Sequence, residues 1–178
     1  MNTAYVYLQL YKLFDDNTPL KTDCGRLCGG ACCKDGDSPD SMGMYLFPGE
    51  KKVFELLSPD WIKIEPSDFY YTSGGVRRNV PIALCSGSCD RYQRPLACRI
   101  FPLTPYVGND GKLRIITDPR AKSLCPLAAA MHKDEYNHGF VRNAERTFSL
   151  LMKNRRFADF MQDYSEYLSE YLKFFSEE

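Results

Sequence analysis

Cysteine content is the feature that most constrains this chain. Eight cysteines occur among 178 residues, and seven of them fall in two short windows. Such a density is typical of two classes of protein, namely disulfide-bonded extracellular domains and intracellular metal-binding domains. The first window holds Cys24, Cys28, Cys32 and Cys33, the second holds Cys85, Cys89 and Cys98, and Cys125 stands alone before a proline.

The N-terminal segment favours the metal-binding class. Residues 1–20 lack a basic start, and polar residues from Gln9 to Asp16 interrupt their apolar stretch, so they do not resemble a secretory signal. Nowhere do 18 apolar residues follow one another, which argues against a membrane span. We therefore expect a cytoplasmic protein in a reducing compartment, whose cysteines are thiols or metal ligands.

The spacing within the first window predicts a loop that wraps an ion. Cys24, Cys28 and Cys32 would lie on one face of a helix, but the glycines among them disfavour a continuous helix by about 1 kcal/mol each relative to alanine. Glycine also lets backbone N–H groups approach sulfur closely. Zn²⁺ prefers four ligands in a tetrahedron, and a [4Fe-4S] cluster also takes four thiolates.

All eight cysteines are therefore predicted metal ligands. Eight thiols equal two sets of four, or one set with four thiols left over. The adjacent pair Cys32 and Cys33 fits one mononuclear site poorly, because neighbouring side chains diverge. We predict zinc, as one or two ions, with a [4Fe-4S] cluster as the alternative. The arginines beside the cysteines are candidate donors to the thiolates, and these are Arg26, Arg91, Arg94 and Arg99, together with Lys34.

Hydrophobic periodicity and turn signals predict an α+β fold in one domain, residues 1–178. The predicted core, residues 20–130, is small, irregular and cysteine-rich, with short strands and packed helices. Turn signals at Ser73-Gly74-Gly75 and Asn109-Asp110-Gly111 predict two hairpins, and Pro81, Pro102 and Pro105 predict edge strands or irregular segments. Residues 135–178 carry apolar residues at helical spacing with a break near Asn154, which predicts a C-terminal helical hairpin with a basic first helix and an acidic second one.

The two cysteine windows together resemble a known family. The CxxxCxxxCC pattern from Cys24 to Cys33, followed by RPLACRIFP from Arg94 to Pro102 and by Cys125, resembles the zinc- or iron-chelating cysteine-cluster family of small bacterial and archaeal proteins. The resemblance covers residues 24–125 and implies that the cysteines chelate metal. A protein methylase carries a similar cluster, so the resemblance also implies that an iron–sulfur centre and a modifying activity are conceivable.

Two functions follow from these observations. The first is a metal-binding protein that chelates zinc through thiolates, and the alternative is an iron–sulfur protein in electron transfer or protein modification. Whether the chain is an enzyme is left open, and so is a protein partner. Lysine plus arginine equals aspartate plus glutamate at 23 each, which argues against a nucleic-acid interface, although Tyr70-Tyr71 beside Arg77-Arg78 would suit a small one. His132 and His138 are expected to cap helices or lie on the surface.

Overall fold

The structure is a computed structural model that describes residues 3–22, 24–33, 43–86 and 89–174. For Arg26 and Cys33 it describes the backbone only. The predictions for Lys34 and for the side chains of Arg26 and Cys33 therefore fall outside the described part of the chain.

Helices and strands alternate in a mixed α+β fold, as predicted. The helices are α1 (Thr3–Lys12), α2 (Gly25–Cys28), α3 (Lys51–Leu57), α4 (Leu96–Ile100), α5 (Pro126–Ala130), α6 (His138–Leu151) and α7 (Arg155–Phe174). The strands are β1 (Met44–Tyr45), β2 (Ile62–Ser73), β3 (Val76–Cys85), β4 (Leu103–Val107) and β5 (Leu113–Thr117). Short 3-10 turns cover Ala31–Cys33, Arg91–Gln93, Pro119–Ala121 and Lys133–Glu135.

Both predicted hairpins are present. β2 and β3 pair antiparallel around Gly74 and Gly75, whose φ angles of 59° and 75° are left-handed, and β4 pairs with β5 across the second turn. Glycine is required at the first turn because side chains disfavour these angles. The expectation of short strands is wrong for this hairpin, because β2 has 12 residues and β3 has 10.

Pro81 corrects the prediction that proline marks an edge strand. The sheet order is β1-β3-β2, so Pro81 lies in the central strand. It faces Pro66 at the start of a bulge, where neither residue has an N–H to pair, and its carbonyl accepts from Leu46 N at 2.9 Å. Beside it Asn79 Nδ2 donates to Ser67 O at 2.5 Å. The Asn79 side chain thus bonds to the backbone of β2 where the prolines cannot donate, and the proline is tolerated inside the sheet.

Aromatic side chains form the core. Phe47 lies at its centre, within 5.1 Å of Phe148 and 5.9 Å of Phe160 between ring centroids. α7 packs on β2 and β4, α6 packs on β5, and α1 packs on α3 and α4. None of the cysteines with a described side chain is among the buried core residues. The described core is therefore aromatic, and the cysteines lie around its margin.

The C-terminal helices break where the sequence predicts. α6 ends at Leu151 and α7 begins at Arg155, with Phe148 and Phe157 in contact across the turn at 6.2 Å. Their charged faces do not pair, since no ion pair joins the two helices within the described residues. The helices pack on different strands because each follows its own apolar stripe onto a sheet.

Candidate metal centre

The first cysteine window folds as two short turns around glycines. Cys24 precedes α2, and Gly29 ends that helix in the left-handed region at φ 61°, followed by Gly30 at φ 71°. A continuous helix through Cys24, Cys28 and Cys32 is therefore absent, as the glycines predicted. Cys24 and Cys28 are half-buried, Cys32 is exposed, and the thiol of Cys28 lies 3.8 Å from the carbonyl oxygen of Cys24.

The second window lies at the end of the long hairpin. Cys85 is the last residue of β3, opposite Ile62, and Cys98 is in α4, both half-buried. Arg94, one of the predicted donors, lies against a cysteine, because its Nε donates to the sulfur of Cys89 at 2.8 Å. A guanidinium at this distance stabilises the ionised thiol over the neutral one.

Cys125 directly precedes α5, and its charge acts on a buried tyrosine, Tyr136. Its N–H donates to Ala121 O at 2.8 Å, and Pro126 takes the first helical position. Tyr136 is only 2% exposed, and its hydroxyl is buried without a hydrogen-bond partner among the described residues. Thr117 approaches that hydroxyl and opposes the rise in its pKa, but the two side chains do not reach hydrogen-bond geometry.

The charges of two cysteines that are far apart in sequence raise the pKa of this tyrosine. Burial, and after it the charge of Cys125, raises the pKa of Tyr136 to about 12, and the charges of Glu135 and Cys24 add to the rise. Cys24 and Cys125 are therefore both within electrostatic reach of one buried hydroxyl, although 100 residues separate them in sequence. A phenol that keeps its proton can donate to an ionised thiol.

The RPLACRIFP segment has a structural role that sequence reasoning missed. Glu50 is fully buried and accepts from Leu96 N at 2.6 Å, from Tyr11 Oη at 2.6 Å and from Phe47 N at 3.0 Å. Arg99 was a predicted donor to sulfur. Its described bonds instead go to Arg94 O at 2.8 Å, Tyr11 O at 3.0 Å and Asp15 at 2.8 Å, and its guanidinium lies over the Tyr11 ring.

The arginine lies away from sulfur because its carboxylate and carbonyl partners compete better for a buried guanidinium. A buried acid has no local sequence signature, since Glu50 sits just before a helix where a solvent-exposed carboxylate would be equally suitable.

The remaining candidates have ordinary roles. His132 caps a 3-10 turn, with its Nδ1 accepting from Asp134 N at 3.5 Å, and His138 is exposed at the start of α6. Tyr71 is buried, whereas Tyr70 is 41% exposed with Arg77 over its ring at 4.2 Å. The two tyrosines therefore do not share a surface that could stack nucleobases.

A complete ligand set is not assembled in the described part of the chain. Across residues 3–22, 24–33, 43–86 and 89–174, no three side chains of His, Cys, Asp or Glu form a group that could hold a metal ion. The seven cysteines with described side chains also form no disulfide with one another. Over the same ranges, none of the helices has the length and apolar character needed to span a bilayer. Comparisons with protein-family models, curated proteins and solved structures find no match to this chain.

Proposed function

We propose that this protein binds metal in a reducing, cytoplasmic compartment, chelating one or two zinc ions through cysteine thiolates. The observation that carries the proposal is the buried Tyr136 hydroxyl, which has no described hydrogen-bond partner and whose pKa is raised by the charges of Cys125 and Cys24. An unpaired buried hydroxyl costs about 1–3 kcal/mol. A thiolate held by a metal would give it an acceptor.

Cys24 and Cys125 would supply two of the four ligands that a closed thiolate site needs. The others would come from the glycine-rich loop, where Cys28, Cys32 and Cys33 lie within nine residues of Cys24. Left-handed Gly29 and Gly30 let this loop change its path with little steric cost. Metal binding would then draw the loop towards Cys125, because ligation and local folding are coupled.

The second window would supply a separate site or support the first. Arg94 already donates to Cys89, and donors of this kind neutralise the excess charge of several thiolates around one ion. Cys85 and Cys98 would complete its thiol set. Four thiolates on zinc leave no open position for substrate, so such a site holds segments together rather than catalysing a reaction.

Metal analysis of anaerobically purified protein tests the proposal. We expect one or two zinc atoms per chain and no visible absorption. Cys28→Ser and Cys98→Ser should each lose metal and have a lower melting temperature. Full metal content and an unchanged melting temperature in either variant would refute the assignment of these ligands.

The same preparation tests the iron–sulfur alternative. Four thiolates with a nearby guanidinium also suit a [4Fe-4S] cluster, whose reduction potential responds to hydrogen bonds on sulfur. A brown protein with iron and acid-labile sulfide would replace zinc with such a cluster and reopen electron transfer or protein modification as the function.

A further inference from the structure

The long hairpin leaves part of one sheet edge open. In the sheet order β1-β3-β2, strand β2 pairs with β3 on one side only. The carbonyl of Trp61 accepts from Ser86 N at 3.0 Å, so Trp61 points its carbonyl towards β3. Backbone bonds alternate along an antiparallel strand, and Ile62 and Ile64 therefore direct their N–H and C=O groups to the outer edge. Within the described residues, no hydrogen bond reaches these outward groups.

The other half of the same edge is covered. Next to the hairpin turn, the N–H of Thr72 donates to Asp163 of α7 at 2.9 Å. Pro66 has no N–H to offer, so the open stretch ends there, at the start of the bulge. The open edge is therefore the segment of residues 62–66.

Side chains of the open edge alternate between two faces of the sheet. Ile62 and Ile64 are half-buried and line a shallow depression together with α3. Lys63 and Glu65 lie on the opposite face, where they form an ion pair with each other, and their side chains are 77% and 38% exposed. A strand that pairs with this edge must continue the apolar face and match a positive charge followed by a negative one.

We propose that the open edge of β2 pairs antiparallel with the open edge of a second copy of this chain, which makes a dimer with two-fold symmetry. The axis passes between the two Ile64 residues, which exchange N–H to C=O bonds. Each Ile62 N–H donates to the Pro66 carbonyl of the other copy, so the missing proline N–H removes only the return bond. The proposal is independent of metal binding.

The charges of the open edge are complementary to themselves in this register alone. With Ile64 opposite Ile64, Lys63 of each copy lies opposite Glu65 of the other. These are positions without backbone bonds, where facing side chains come closest. A register centred on Lys63 would place lysine opposite lysine, and one centred on Glu65 would place glutamate opposite glutamate. Like charges in such positions are destabilising, so the charges select one isologous pairing.

Analytical ultracentrifugation of the full chain under reducing conditions, from about 10 μM to about 1 mM, tests the dimer. We expect a reversible monomer–dimer equilibrium that is weak, because the paired segment is short, and weaker still in high salt, which screens exposed charges. A monomer at every concentration would overturn the proposal. An assembly larger than a dimer would also overturn it, because two-fold pairing of a single edge is closed.

Charge variants test the register. Lys63→Glu and Glu65→Lys should each weaken self-association about tenfold or more, since like charges then face each other across the axis. An equimolar mixture of the two variants should recover the wild-type affinity, because every facing pair is again of opposite charge. Lys112→Glu makes the same charge change at an exposed position of the other hairpin and should have no effect. A mixture no tighter than the single variants, or an equal loss in Lys112→Glu, would overturn the proposal.

Amide hydrogen exchange at single residues locates the interface. The N–H groups of Ile62 and Ile64 should exchange more slowly as the concentration rises from the monomer to the dimer range. Those of Lys63 and Glu65 face β3 and should change much less, which makes them internal controls. Dimerisation without added protection at Ile64 would mean that the copies meet through another surface, contrary to the proposal.

Discussion

Glu50 is a fully buried carboxyl group that joins three separate segments of the chain. It accepts hydrogen bonds from α1 through Tyr11, from the backbone of Phe47 and from the first residue of α4, Leu96. Burial raises the pKa of Glu50 above its ordinary value of 4.5, although its three donors and the charge of Arg99 oppose the rise. The position of this group makes the stability of the fold depend on pH.

Glu50→Gln should lower the free energy of unfolding, because an amide cannot accept from all three donors. We expect a loss of about 1–3 kcal/mol below pH 4.5. Since the folded pKa is raised, the unfolded state releases its proton first, and wild-type stability falls as pH rises from 4.5 through the folded pKa. The free energies of unfolding of wild type and Glu50→Gln, measured by denaturant unfolding, should therefore converge as pH rises from 4.5 through the folded pKa of Glu50.

Glu55→Gln is the matched control, because Glu55 lies on the exposed face of α3, the helix that begins directly after Glu50. The difference in free energy of unfolding between wild type and Glu55→Gln should not change comparably over the same pH range. A gap between wild type and Glu50→Gln that widens with pH would mean that the donors hold Glu50 as a carboxylate, contrary to this prediction.

Removing the hydroxyl oxygen of Tyr136 should separate an effect on metal binding from an effect on folding. Tyr136→Phe removes a hydroxyl that has no described partner, so the metal-free variant should be as stable as metal-free wild type, or slightly more stable. If the hydroxyl donates to a metal-bound thiolate, zinc affinity should fall by about 10-fold or more. Competition with a chelator measures the affinity, and an unchanged value would exclude Tyr136 from the site.

At the scale of elements, the β2–β3 hairpin depends on its turn. Gly74 and Gly75 are both left-handed, and a Cβ at either position would meet no atom within 4 Å. A side chain at either position would therefore cause no steric clash, and its only cost is the strain of the left-handed backbone conformation. The hairpin carries Cys85 at one end and contacts α7 along β2. Its turn therefore affects both the aromatic core and the cysteines around that core.

Gly75→Ala should reduce the free energy of unfolding by about 1–2 kcal/mol, the usual cost of a left-handed alanine. Gly75→Asn should cost less, because asparagine tolerates this conformation. Thermal unfolding of both variants checks the order. Equal losses would indicate that the turn changes type on substitution.

At the scale of the whole molecule, the aromatic core and the cysteine margin contribute separately to stability. The core joins α1, both sheets, α6 and α7 without any cysteine with a described side chain. A chain of 178 residues can bury enough apolar surface to fold without a metal. This differs from the cysteine-rich core that the sequence predicts.

Removing metal with a chelator under reducing conditions should therefore lower the melting temperature without unfolding the protein. Each kcal/mol of lost stability should lower it by about 2–4 °C for a chain of this size. We expect circular dichroism to retain helix and strand, and hydrogen exchange to increase selectively in residues 24–33 and around Cys125. Complete unfolding of the metal-free chain would show that the aromatic core is insufficient.

The sequence by itself determined the features that depend on a few neighbouring residues. Gly74 and Gly75 specify the first hairpin turn, and Asn109-Asp110-Gly111 specifies the second. The helical spacing of apolar residues specifies α6 and α7 and the break between them. Gly29 likewise ends α2. These features follow from backbone conformations that each residue type allows, so they can be read locally.

The tertiary structure alone decided which distant groups meet. Pro81 lies in a central strand because Pro66 faces it, and Glu50 is buried because three segments bring donors to it. The charges of Cys125 and Cys24 likewise raise the pKa of the distant Tyr136. No local pattern encodes these contacts. They depend on how the aromatic core orients whole elements, and that orientation is a sum of many weak packing interactions over the entire chain.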